Sequence, residues 1–132
     1  MVLEGGLATE LERMGCDLKH KLWSSILLIE DPGLIKTVYE RYLEAGADCI
    51  STNTYQATYP VFASLGLLET EIDDIFALSV RIACDSRDTF WDTIQKDELE
   101  RPKPLVVASI GSYGAFLYDG SEYKGEYSIL ED

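Results

Sequence analysis

Residues 45–58, AGADCISTNTYQAT, contain the end of one element, a complete second element and the start of a loop. Gly46 is a common helix terminator, and the apolar run at residues 47–52 predicts a short strand directly after it. The polar residues that follow end at Pro60, which cannot continue a strand. This stretch predicts helix, strand and loop in that order, with the loop at the carboxyl end of the strand.

The residues before this strand predict two helices and one further strand. Asp31 suits an N-cap, Pro32 suits the first helical position, and apolar residues at helical spacing continue until Gly46. Residues 1–3 predict a very short first strand. The segment LATELERMG after it predicts a helix that Gly15 ends.

The residues after the strand predict a long helix and a third strand. Thr70 and Asp73 form a weak capping-box pattern, and the helix is expected to run to about Gln95. Its apolar face is formed by Ile72, Phe76, Val80, Ala83, Phe90 and Ile94. Residues 105–110, LVVASI, predict a strand buried on both faces of a parallel sheet, and residues 111–127 predict a loop.

The resulting order, β-α-β-α-β, predicts the α/β class, because its helices are long enough for the crossovers that parallel strands require. Ligands of such sheets bind at the carboxyl ends of the strands. The candidate site therefore consists of three loops, which are residues 4–6, 52–56 and 111–114.

Length and composition describe one ordinary globular domain. The chain has 132 residues, of which 46% are hydrophobic, and its 24 acidic and 11 basic residues give a formal net charge of −13. That charge repels nucleic acid and anionic lipid, and no apolar run approaches the roughly 20 residues of a bilayer helix. The sequence predicts a cytoplasmic protein that binds neither nucleic acid nor a membrane.

The three cysteines and the single histidine favour neither a disulfide scaffold nor a metal site. Cys16, Cys49 and Cys84 are an odd number and include no C-x-x-C pair. Cys49 and Cys84 lie in apolar segments, where a thiol acts as a small hydrophobic side chain. No metal-ligand set is predicted within this chain.

Four blocks of sequence, each at a predicted strand end or helix start, form a pattern. In chain order they are LEGGLATELERMGCDL, LWSSILLIEDP, YLEAGADCISTNTYQAT and ASIGSYGAFLYDGSEYKGEY. Together they resemble the first part of the homocysteine S-methyltransferase family, which includes S-methylmethionine- and S-adenosylmethionine-dependent enzymes and, more distantly, betaine-homocysteine methyltransferase. The resemblance covers nearly the whole chain.

The family fold is a (β/α)8 TIM barrel of about 250 residues or more. The resemblance therefore implies that residues 1–132 are the N-terminal portion of a homocysteine-binding barrel, with about its first three β/α units. The implied reaction is methyl transfer from a sulfonium donor, S-methylmethionine or S-adenosylmethionine, to homocysteine, which gives methionine. The family binds the homocysteine thiolate on Zn²⁺ through cysteines of the later barrel. None of the cysteines here matches those motifs, so the isolated chain is expected to be inactive.

The resemblance implies substrate-binding residues and no catalytic residue in this chain. Glu4 stands where the family usually has Asp before Gly-Gly, and its carboxylate is expected to pair with the substrate ammonium. The extra methylene moves the carboxylate by about 1.5 Å, which affects positioning. An aromatic ring near the site mouth attracts a sulfonium. The full set is Glu4, Gly5, Gly6, Trp23, Thr52, Tyr55, Gln56 and Tyr113.

Two other interpretations stay open. The first is a non-catalytic half-barrel that binds a partner or a second copy through unpaired sheet edges and apolar helix faces. The second is a self-contained flavodoxin-like domain that binds a small ligand at its switch point, although the sequence predicts only three strands.

Overall fold

A computed structural model describes residues 1–94, 101–117, 119–125 and 127. The helices are α1 (Leu7–Arg13), α2 (Leu27–Glu30), α3 (Pro32–Glu44), α4 (Tyr59–Ser64), α5 (Glu69–Thr93), α6 (Tyr113–Leu117) and α7 (Ser121–Lys124). A 3₁₀ turn at Trp23–Ile26 leads directly into α2. The strands are β1 (Cys49–Ser51) and β2 (Leu105–Val107). This mixture confirms the predicted α/β class.

The two strands are parallel neighbours. Cys49 pairs with Leu105 and Ser51 with Val107, and α5 lies in the connection between the strands. The predicted first strand is reduced to one parallel bridge, in which Leu3 pairs with Cys49 on the other side of β1. β1 is therefore central, and the residues after Leu3, Ser51 and Val107 leave the sheet at the same end.

The core lies between this sheet and the helices on one side of it. Helix α3 packs against both α1 and α5. Its buried residues are Ile35, Val38, Tyr39 and Leu43, and they meet Ile50 of the central strand and residues of the neighbouring helices. Helix α3 runs from Pro32 to Glu44 with Asp31 as its N-cap, as the sequence predicts. The Asp31 carboxylate accepts a hydrogen bond of 3.1 Å from the backbone N–H of Gly33.

The strand predicted at residues 105–110 is shorter and less buried than expected. It ends at Val107, where Leu105 is 54% exposed and Val107 is 41% exposed, and Ile110 beyond it is 85% exposed. Within the described residues β2 pairs only with β1, so its second edge and one of its faces have no covering element. The prediction of burial on both faces is wrong for this chain.

The long helix differs from its prediction at its start and on its face. Its N-cap is Leu68 rather than Thr70, and the carboxylate of Glu71 accepts the backbone N–H of Leu68 at 2.7 Å, so the helix begins at Glu69. Val80, expected on the buried face, is 47% exposed and lines an open apolar cavity. The described helix ends at Thr93, and the predicted end at Gln95 lies outside the described residues.

Several short helices occupy segments that were expected to be loops. Helices α6 and α7 lie in the loop predicted at residues 111–127, and α4 begins inside the polar segment that ends at Pro60. Pro60 lies in the first turn of α4, where its missing N–H costs nothing. None of the helices in the described ranges is both long and apolar enough to span a bilayer.

Candidate functional site

A cavity of about 240 Å³ opens at the end of the sheet where the parallel strands stop. It brings together six of the eight residues that the sequence analysis selected, which are Glu4, Gly5, Gly6, Trp23, Thr52 and Tyr55. Its lining also includes Ser24, Ser51, Asn53 and Ser109. The cavity is large enough for part of an amino acid, and most of these side chains are polar.

Glu4 directs a half-buried carboxylate into this cavity. Its Oε1 accepts the backbone N–H of Ser51 at 2.6 Å and also a short hydrogen bond from the Ser51 hydroxyl. Its Oε2 is buried and has no hydrogen-bond partner among the described residues. Burial raises the pKa of the Glu4 carboxyl above its ordinary value of 4.5, and the Ser51 hydrogen bonds partly oppose that rise. One oxygen is therefore anchored to β1, and the hydrogen-bonding capacity of the other is unused within the described residues.

The glycine pair keeps the backbone next to Glu4 close to helix α3. A Cβ at Gly5 would lie 2.8 Å from the hydroxyl oxygen of Tyr42, which is too close for an unstrained contact. The Tyr42 hydroxyl in turn donates to the carbonyl oxygen of Gly6 at 3.1 Å. A side chain at residue 5 would displace the end of Tyr42 and with it this hydrogen bond, which is a packing reason for glycine here.

Thr52 connects the ends of the two strands. Its hydroxyl oxygen accepts the backbone N–H of Ser109 at 2.9 Å and lies 2.7 Å from the hydroxyl oxygen of Thr54. Because Thr54 donates its only hydroxyl proton to the carbonyl oxygen of Ser109, Thr52 is the donor between the two hydroxyls. The Thr52 hydroxyl thus has no proton left to donate to a ligand.

Trp23 separates the first cavity from a second one of about 390 Å³. It lines both, and Gln56 lines only the second, together with Lys19, His20, Lys21 and Glu122. Trp23 is 38% exposed and its backbone φ is +47°, a left-handed conformation that bulky residues rarely adopt. Gln56 is therefore next to the predicted site rather than inside it.

Tyr113 lies outside both cavities. It is 61% exposed, and its ring centroid is 6.1 Å from that of Phe116 and 6.0 Å from that of Tyr127. The residue of the third loop that lies against the second loop is instead Gly111, whose position leaves no room for a Cβ against the carbonyl oxygen of Tyr55. Gly111 allows the third loop to contact the second loop.

Seven lining residues were not selected from the sequence, and five of them are polar, which are Thr9, Ser24, Ser51, Asn53 and Ser109. Ser51 and Asn53 flank the selected Thr52, and Ser24 follows the selected Trp23, so their neighbours in sequence were the available signal. Ser109 lies within residues 105–110, which were predicted to be a buried strand. No spacing rule distinguishes these small polar residues from ordinary loop residues.

The described residues do not form a metal centre. No group of three or more His, Cys, Asp or Glu side chains among them is close enough together to hold a metal ion. All three cysteines are free thiols, with Cys49 buried in β1 and the other two half-buried. Burial and then the charge of Glu4 raise the pKa of the Cys49 thiol. Cys49 is thus held as a neutral thiol within the sheet.

The fold and cavity define a class, an α/β domain with a cavity at its strand ends where several polar side chains meet. A family model described as homocysteine S-methyltransferase matches residues 1–132, the entire chain. The chain belongs to the homocysteine S-methyltransferase family.

Relatives and a solved structure agree with this assignment. The chain is 53% identical over 132 residues to homocysteine S-methyltransferase YbgG of Bacillus subtilis (strain 168), covering 100% of this chain and 42% of that protein. It is 49% identical to homocysteine S-methyltransferase 1 of Zea mays, covering 96% of this chain and 39% of that protein. The metallated form of the Escherichia coli homocysteine methyltransferase MmuM matches with a TM-score of 0.83 and 41% identity, over 97% of this chain and 43% of that one. The chain spans about two-fifths of the length of these proteins.

Proposed function

We propose that this chain forms the amino-acid-binding side of a homocysteine S-methyltransferase, as the N-terminal portion of an incomplete (β/α)8 barrel. The proposed reaction transfers a methyl group from a sulfonium donor, S-methylmethionine or S-adenosylmethionine, to homocysteine. A cytoplasmic location is part of this proposal. Family membership and the strand-end cavity support it.

The unpartnered Oε2 of Glu4 is the observation that carries the proposal. A buried carboxylate oxygen without a hydrogen-bond donor is costly, and the ammonium group of an amino acid supplies that donor together with a compensating charge. Oε1 is fixed by Ser51, so the free oxygen has a defined direction. The proposed role of Glu4 is to orient the homocysteine α-amino group.

The methyl transfer itself needs alignment of two sulfur atoms and a methyl carbon. The homocysteine sulfur, after losing its thiol proton, forms a bond to the methyl carbon as the bond to the sulfonium sulfur breaks. The bonding electrons return to the donor sulfur, which becomes a neutral thioether. Trp23 lies between the two cavities, where its ring face can attract the sulfonium by about 0.5 to 2 kcal/mol.

Zinc, which the family resemblance implies, does not fit the described residues of this chain. The cysteines lie apart from one another, and no cluster of metal-ligating side chains is present in the described ranges. We derive no step of the reaction through a metal held here. The chain's proposed contribution is to bind and orient the amino acid and to shield the donor from water.

Calorimetric titration of the reduced chain with homocysteine tests the role of Glu4. We expect Glu4→Gln to weaken binding by about tenfold or more, because a hydrogen bond to a charged group contributes roughly 1.5–3 kcal/mol. Glu12→Gln, an exposed change on α1 away from the cavity, is the matched control and should bind as the unaltered chain does. The analogue 4-mercaptobutanoate lacks the amino group of homocysteine. Its affinity for the unaltered chain should be no higher than the affinity of homocysteine for the Glu4→Gln chain. Equal affinities of the Glu4→Gln and Glu12→Gln chains for homocysteine would contradict the proposal.

The interaction module is the second candidate, and the exposed side of β2 favours it. Leu105 and Val107 of β2 are exposed, and the exposed Ile110 beyond the strand lines an apolar cavity of about 460 Å³ together with Phe76 and Val80. Such a face with an unpaired strand edge is suited to self-association. A chain that forms a stable dimer and does not bind homocysteine would establish this second function instead.

A further inference from the structure

Asn53 forms a buried hydrogen-bonded link between the end of β1 and the turn that contains Trp23. Its Oδ1 accepts the hydroxyl of Ser24 at 2.7 Å, and its Nδ2 donates to the backbone carbonyl oxygen of Ser24 at 2.8 Å. Asn53 and Ser24 are 4% and 6% exposed. The amide group thus holds both the side chain and the main chain of one residue.

The backbone of Asn53 is fixed as well. Its carbonyl oxygen accepts the hydroxyl of Ser25 at 2.9 Å, and its N–H donates to the hydroxyl oxygen of Ser79 on α5 at 3.1 Å. Ser25 and Ser79 are fully buried. These contacts connect Asn53 to helix α5 as well as to the turn. A displacement of the turn would therefore break several buried hydrogen bonds together.

Trp23 is the residue that needs such support. Its φ of +47° is strained for a side chain of this size, and a strained residue persists only where its surroundings hold it. Trp23 precedes Ser24 directly, and its own N–H donates to the nearby carbonyl oxygen of His20 at 2.8 Å. Asn53 therefore supplies long-range anchors of this part of the turn, through two hydrogen bonds with Ser24 and one from the hydroxyl of Ser25.

We propose that Asn53 is a positioning residue that holds the Trp23 ring at the boundary between the two cavities. The inference that this placement of Trp23 assists methyl transfer rests on the proposed function. The inference that Asn53 holds Trp23 in place does not. An amide is suited to the task because it presents one acceptor and one donor in fixed geometry. A carboxylate at residue 53 keeps the acceptor for the Ser24 hydroxyl but places a second acceptor against the Ser24 carbonyl oxygen.

Fluorescence of the isolated chain provides the test, because it requires no substrate. Trp91→Phe leaves Trp23 as the single tryptophan. In that background, Asn53→Asp should raise the acrylamide quenching constant of Trp23 about twofold and shift its emission to the red. The Ser24 carbonyl oxygen loses its hydrogen-bond donor in this variant, and opening of the turn lets it accept a hydrogen bond from water instead. Ser86→Ala is the matched control. It removes a buried hydroxyl that bonds only within α5 at 2.8 Å, and it should leave Trp23 quenching unchanged.

Ser24→Ala gives a second, milder variant in case Asn53→Asp does not fold. It removes one hydrogen bond to the amide and keeps the other, so quenching should rise by less than with Asn53→Asp. A cooperatively folded Asn53→Asp chain with unaltered Trp23 quenching would overturn the proposal, as would an unaltered Ser24→Ala chain. Loss of homocysteine binding with normal Trp23 fluorescence would affect only the proposed function.

Discussion

Glu4 illustrates what a single residue position reveals in sequence and what it does not. Its place before Gly5 and Gly6 predicts a carboxylate at the mouth of the first strand, and the structure puts it there. Its partner Ser51 is 47 positions away, and nothing in the sequence links the two. The Glu side chain uses this partner with one oxygen, which reaches the backbone of β1, while its other oxygen is buried without a partner among the described residues.

The raised pKa of Glu4 predicts a specific pH dependence of stability. The folded chain holds this proton more tightly than the unfolded chain does, so the stabilising contribution is present below pH 4.5 and is lost as the pH rises through the raised value. The Gln side chain of the Glu4→Gln variant cannot ionise, so this variant does not lose stability in this way as the pH rises. Each unit of difference in pKa corresponds to about 1.4 kcal/mol.

Urea unfolding at pH 4 and pH 7 measures this effect. The free energy of unfolding of Glu4→Gln minus that of the unaltered chain should be larger at pH 7 than at pH 4. The same difference for Glu12→Gln should show no such increase. A difference for Glu4→Gln that is smaller at pH 7 would show that Glu4 is not held in an environment that disfavours its charge.

Other site residues depend on contacts that a sequence does not display. Gln56 was selected with Tyr55 from one segment, yet the turn after Thr52 places them on different cavities. Tyr113 was selected by its position after the third strand. The unpredicted helix α6 instead packs it against Phe116 at the surface.

At the scale of elements, predictions succeeded where local chemistry determines the result. Helix α3 was predicted because Asp31 and Pro32 act within its first turn, and β1 was predicted from a short apolar run. Helices of four residues, such as α2 and α7, carry too little local signal and depend on packing against neighbours. The start of α5 was displaced because Glu71, not Asp73, reaches the cap.

The N-cap of α3 supports the site through Tyr42, which lies against Gly5 and Gly6. Asp31→Ala should lower the free energy of unfolding by about 1 kcal/mol, because it removes the side-chain acceptor for the Gly33 N–H. Asp31→Asn retains an acceptor and should recover most of that loss. Urea denaturation with an unchanged m-value checks this, and equal losses for both variants would contradict a capping role.

At the scale of the whole molecule, the exposed side of β2 and the lengths of the relatives are consistent with each other. Apolar residues of the sheet are uncovered in the described part of the chain, and the matched relatives are more than twice as long as this chain. In the barrel that we propose, this is the face at which the other β/α units of such a relative would continue the sheet. The sequence predicted the apolar strand, but composition does not reveal what covers it.

A chimera tests the central claim most directly. In it, residues 1–132 replace the matching part of the Bacillus subtilis relative, which supplies the remainder of the fold. We predict that the purified chimera forms methionine from homocysteine and S-methylmethionine, and that Glu4→Gln lowers its kcat/KM by about tenfold or more whereas Glu12→Gln does not. A chimera that folds and has the metal content of its parent but forms no methionine would contradict the account. An active chimera whose kcat/KM is unchanged by Glu4→Gln would contradict it as well.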